Sequence, residues 1–138
     1  DLPNPQAALS FARARSPQQR DDRLRHLMQT TRALLDDTRA SELTLGEIAA
    51  AAGLAKSGVL RYAGSREALL LLVMYHEHLG WLDELQAQMH DERHSPAKAL
   101  AHTLARRPVL CDLISAAPVL MNRLTPDAAE IGERRVGK

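Results

Sequence analysis

Aromatic residues are scarce in this 138-residue chain: one Trp, one Phe and two Tyr, 3% of the whole. Sheets draw on aromatic and β-branched side chains that fill a pleated surface, whereas Ala and Leu, abundant here, favour helices packed through aliphatic contacts. There is a single cysteine, Cys111. No disulfide can form within the chain, which fits a reducing, cytoplasmic setting. No basic start followed by an apolar run marks a secretion signal, so none is expected. Long hydrophobic runs are lacking as well. The longest, Ala68 to Tyr75, falls far short of the roughly 20 residues a membrane-crossing helix needs. Nor does one charge dominate, with 18 Lys and Arg against 17 Asp and Glu.

What is present is a hydrophobic content of 45%, enough to bury a core and to exclude a disordered tail. The length suits one compact domain, or a small head fused to a modest helical body. Charge is unevenly divided. Up to Arg66 there are 10 basic and 7 acidic residues, and beyond it 8 and 10. The front half is the one suited to phosphate, though the imbalance is mild.

Residues 1–15 hold Pro3 and Pro5 and end in Arg13 and Arg15, which reads as a flexible basic arm. Ser16-Pro17 is a helix start, a capping hydroxyl followed by proline at the first helical position. Leu24, Leu27, Met28, Thr31, Leu34 and Leu35 then recur at three-and-four spacing, predicting a helix with one buried face that ends near Thr38. Thr44 with Glu47 forms a capping box that opens a second helix, and Gly53 closes it. A third short helix spans roughly 56–62. Ser65 caps a long fourth from Arg66 to about Met89, whose run from Leu69 to Met74 is apolar all round and implies burial on more than one side. Ser95-Pro96, Arg107-Pro108 and Thr125-Pro126 predict further helices near 96–106, 108–122 and 126–134, with a break at Pro118. No stretch alternates with strand period. The fold class is all-α.

The segment from Thr44 to Leu70 carries the function. Two helices that cross steeply with almost no linker need a small residue at the contact, glycine in the turn and an apolar anchor on the second helix. Ala49, Gly53 and Val59 meet these demands, and Ile48, Leu54 and Tyr62 complete the buried set. This is a helix-turn-helix, where an ordinary helical hairpin would satisfy fewer of these positions.

Residues TLGEIAAAAGLAKSGVLRYAGSREALL also resemble the N-terminal domain of the TetR family, over about residues 17–75. The likeness lies in Ile48-Ala49, Ala52-Gly53-Leu54, Lys56, Arg61-Tyr62 and Gly64 to Leu70. The resemblance implies a three-helix head over 16–65 whose third helix enters the major groove of double-stranded DNA, followed by a regulatory body over 66–138. By position, Lys56, Ser57, Gly58, Arg61 and Tyr62 would face the DNA. Thr44, Ser65 and Arg66 would lie near its backbone, at helix N-termini whose free N–H groups favour phosphate. The implied protein is a ligand-responsive repressor that binds a palindromic operator as a homodimer, with half-sites about 34 Å apart. Its small-molecule effector would bind in a pocket for which Met74, His78, Trp81 and Met121 are candidates, although core packing explains these residues equally well. Family members run longer, and their last helices form the dimer interface. Here a polar stretch, Ile131 to Arg135, precedes Lys138, so the expectation is that further residues complete the dimer.

Two residues depart from the family pattern. Leu60 replaces an aromatic that often approaches phosphate, and Ala63 replaces a core phenylalanine. Without larger neighbours the second change would destabilise the head by roughly 3 kcal/mol. Both leave open an alternative: a helical protein–protein interaction module that keeps the fold without binding DNA. LARRPVLCDLISAAPVL, Leu104 to Leu120, is similar to the body of a TetR subgroup carrying an Arg-Pro-x-Leu-Cys-Asp-Leu stretch, which implies that Cys111 is a buried small residue.

Other constellations carry little. His90 and His94 stand four apart with acids between, a near miss to a zinc-protease motif, but Asp91 replaces the required Glu and no third ligand is placed. His76 and His78 leave a helix on different faces. Nothing pairs a nucleophile with a base, and no glycine-rich phosphate loop occurs. The reading requires no enzyme activity, metal or cofactor.

Overall fold

A computed structural model describes residues 16–124 as six helices, with no strand among them. They are α1 (Pro17–Leu34), α2 (Leu45–Ala52), α3 (Lys56–Ala63), α4 (Arg66–Met89), α5 (Pro96–Ala105) and α6 (Pro108–Leu124). The expected arm over 1–15 and the helix over 126–134 lie outside the described residues.

Most helix starts follow from local chemistry. Ser16, Thr44, Ser65 and Ser95 each accept a hydrogen bond from the backbone N–H three residues on, at 3.0–3.2 Å. Each bond satisfies a donor that the helix itself leaves unpaired. At α2 the box is complete, because the Glu47 carboxylate accepts the Thr44 N–H in return.

The first helix stops four residues short of the expected Thr38. Asp36 and Asp37 fall at its negative end, where the helix dipole opposes them. The chain there tightens into turns, with Asp36 and Asp37 N–H donating to the carbonyls of Ala33 and Leu34. The expected break at Pro118 is absent, and α6 continues through it. Proline removes one N–H and leaves the carbonyl four residues earlier without its helical partner. That carbonyl belongs to Ile114, and Ile114, Pro118 and Val119 all lie on the exposed side of α6, where solvent satisfies it.

One buried cluster runs through the molecule. Leu27 and Leu35 meet Ile48, Ala49 and Val59, and the same cluster takes in Leu69, Leu70 and Val73 of α4 with Val109, Leu113 and Leu120 of α6. The dense apolar start of α4 is thereby explained: it has α1 and α3 on one side and α6 on the other. Each fully buried Leu or Val contributes roughly 1.5–3 kcal/mol. Ala63 is 9% exposed inside this cluster, so this small residue occupies a core position.

Polar ties reinforce the packing. Arg32 on α1 donates to Glu77 on α4 at 2.7 Å and to Asp36 at 2.7 Å. Arg107, just before α6, donates to Glu84 at 3.0 Å and lies 3.9 Å from Glu77. Burial opposes the charge on Arg32, but the hydrogen bonds and charges of Asp36 and Glu77 outweigh it and raise its pKa. At the far end of α4, Trp81 Nε1 donates to Thr103 Oγ1 at 2.9 Å, and that buried hydroxyl donates to the Ala99 carbonyl.

Candidate nucleic-acid interface

The turn between α2 and α3 has an identifiable geometry. Gly53 adopts φ 68° and ψ 31°, the left-handed region that glycine enters without a Cβ penalty. Its N–H donates to the Ala50 carbonyl at 3.2 Å, and the Leu54 N–H reaches back to Ala49 at 2.9 Å. Together these bonds make a Schellman ending, and Leu54 folds onto the core beside it. The chain reverses within two residues, and α3 starts at Lys56.

Val59 and Ala63 hold α3 down, at 0% and 9% exposure, while Tyr62 packs against the core at its edge. Helical spacing then sends Lys56, Ser57, Leu60 and Arg61 outward, and all four are exposed. Gly58 is half-buried, and a Cβ added there would meet only Leu54, at 3.6 Å. Among the described residues, no carboxylate lies within ion-pair distance of Lys56 or Arg61, and both stand on a regular helix. Ala55 supplies no side-chain cap to α3, in contrast to the capped starts of α2 and α4.

The start of α2 adjoins this face. A Cβ placed on Gly46 would lie 3.3 Å from Lys56 Cε, 3.8 Å from its Nζ and 3.9 Å from Thr44 Oγ1. The lysine stem therefore lies across the space that glycine leaves open, with its ammonium and the Thr44 hydroxyl around one point. Thr44 Oγ1 accepts the Glu47 N–H, and its own proton is left to donate to an anion. Ser65 is half-buried and caps α4. Tyr62 carries the Arg23 guanidinium 5.9 Å from its ring centroid, a contact between α1 and α3 that no sequence pattern announces.

Arg66 is turned inward instead of toward a phosphate backbone. Its guanidinium donates to the carbonyls of Leu43 and Ala40 and pairs with Glu67 at 3.3 Å. Its side chain is only 14% exposed. The four residues named as pocket candidates do not line one cavity together, although His78 and Trp81 touch. Met74 packs on the central core, His78 and Trp81 form a tilted ring pair with centroids 5.7 Å apart, and Met121 is exposed on α6. A cleft of about 210 Å³ instead opens between α1 and α4, lined by Arg25, Met28, Arg32, Val73, His76 and Glu77 among others. Cys111 is exposed, against the expectation of a buried residue. Leu110 and Leu113 take the inward face of α6, which turns Cys111 out. His90 ends α4, so His90 and His94 do not share a helix face.

The fold and this surface define a helix-turn-helix head with a short, cation-bearing second helix presented to solvent. Residues 27–73 match the family described as bacterial regulatory proteins, tetR family. That stretch spans the helix-turn-helix and the first turns of α4, so this part of the chain is similar to the DNA-binding domain of that family. No curated protein and no solved structure matches the chain. No helix among the described residues is long and apolar enough to cross a membrane.

Proposed function

We propose that this protein is a ligand-responsive repressor that reads a palindromic operator as a homodimer in the cytoplasm. In this reading residues 16–65 are the DNA-binding domain, 66–138 belong to the regulatory body, and the body is of the subgroup with the Arg-Pro-x-Leu-Cys-Asp-Leu stretch. The observation that carries it is the outward face of α3, where Lys56, Ser57 and Arg61 project beside Thr44 from an element fixed by Val59. Lys56 and Thr44 grip phosphate, while Arg61 and Gly58 approach base edges. Arginine reads guanine through a two-pronged contact, and a glycine lets the helix backbone come close. An effector in the body acts by favouring one of two spacings between the recognition helices. The site binds and performs no catalysis.

Selection of bound sequences from random duplexes by the intact protein tests this reading. A recurrent, two-fold related sequence is expected. Binding should weaken with salt, the logarithmic slope falling by about 0.9 for each phosphate contact removed. Lys56→Ala should lower that slope with little change in preference, whereas Arg61→Ala should relax preference at one position. The rival interaction-module reading draws on Leu60, which is 40% exposed at the centre of the same face. Absence of any selected sequence would favour it.

A further inference from the structure

The loop between α1 and α2 holds Ala40, which is fully buried. Buried backbone groups need partners, and both of its polar groups find theirs in side chains from later in the chain. Its N–H donates to Asp112 Oδ2 at 2.8 Å, across 72 residues. Its carbonyl accepts from Arg66 at the start of α4, and the same guanidinium also takes the Leu43 carbonyl. Leu43 immediately precedes Thr44, the cap of α2. The second Asp112 oxygen stands 3.6 Å from Arg39 Nε. The segment that sets how α2 enters the reading head is thus tied to α6 through one carboxylate.

We propose that Asp112 is a positioning residue for DNA binding: by holding Ala40, it lets α6 fix the pose in which α2 and α3 are presented. The proposal rests on the regulator reading above. A carboxylate cannot grip phosphate, so its influence runs through geometry. The two routes have opposite signs. If only the charge of Asp112 mattered, removing it would strengthen binding to DNA; if it positions the loop, removing it weakens binding.

The test uses the full chain, a duplex recovered by the wild-type protein from a random pool, and a scrambled duplex of equal length. Asp112→Ala should bind the recovered duplex about tenfold more weakly, within the usual range of coupling between sites. Its binding to the scrambled duplex and its salt slope should be unchanged. Asp112→Asn keeps an oxygen to accept the Ala40 N–H and should restore wild-type binding. Asp112→Glu keeps the charge, shifts the acceptor by one methylene, and should behave as Asp112→Ala. Hydrogen exchange at the Ala40 amide should be slow in the wild type and Asp112→Asn and fast in the other two. Circular dichroism identifies any variant that fails to fold, and the remaining pair still separates geometry from charge. Undiminished binding by folded Asp112→Ala or Asp112→Glu with a fast Ala40 amide would overturn the proposal. A wild type that recovers no duplex while its Ala40 amide stays slow would refute the regulator reading, and the positioning role with it, although the tie exists.

Discussion

Gly53 and Gly64 both have positive φ, but the strain a side chain would meet differs between them. Gly53 sits in the left-handed helical region, which other residues enter at moderate cost, whereas Gly64, at φ 82° and ψ −50°, lies outside the allowed regions for an L-residue. A Cβ meets no atom within 4 Å at either position, so the cost is conformational alone. Gly53→Ala is expected to lose about 1 kcal/mol, and Gly64→Ala about 2–3 kcal/mol. Chemical denaturation ranks them, and equal losses would contradict the assignment. Gly46 makes a different demand, because its missing Cβ leaves room for Lys56. Gly46→Ala should raise stability by about 0.5–1 kcal/mol through helix propensity while displacing the ammonium and weakening duplex binding. Thermal unfolding and a binding titration on one sample read these opposite signs.

Helix starts were legible in the sequence because their chemistry is local. Ser16, Thr44, Ser65 and Ser95 bond to backbone only three residues away, and Gly53 closes α2 through its own conformation. The helix-turn-helix followed from the same short-range rules, whereas Lys56, Ser57 and Arg61 were named through the family resemblance and lie exposed on α3. The inward turn of Arg66, the outward turn of Cys111 and the grip of Asp112 on Ala40 were not legible. They depend on which face of α4 or α6 meets a loop placed 23 to 72 residues away, and spacing within one helix does not encode that. The same distinction governs Pro118, which local rules mark as a break. Because it lies on the solvent side of an intact helix, Pro118→Ala should raise stability, by about 1–3 kcal/mol. A lower melting temperature would mean that the proline ring packs productively. Arg66→Ala leaves two carbonyls without their partner and is expected to cost about 2–3 kcal/mol by urea denaturation.

Across the whole molecule, carboxylates of α4 join guanidinium groups from both sides, with Arg32 on Glu77 and Arg106 and Arg107 on Glu84. The folded pKa of Arg32 is raised, so its contribution is complete below the unfolded value and is lost only as pH climbs through the folded one. Both values are strongly alkaline. The stability difference between wild type and Arg32→Gln is therefore expected to stay flat from neutral pH to about pH 10, and a decline near pH 8 in a pH series of urea melts would contradict it. The buried cluster has a further consequence for anyone building hybrid regulators. Leu27 and Val59 share it with Leu69, Leu70 and Val73, and through them with Leu113 on α6. A chimera spliced at Ser65 would set the head's apolar underside on a foreign surface. One spliced after Met74 would carry the first turns of α4 along, yet it would still lack the α6 side chains that close the cluster. The transplantable unit is therefore larger than the three-helix head.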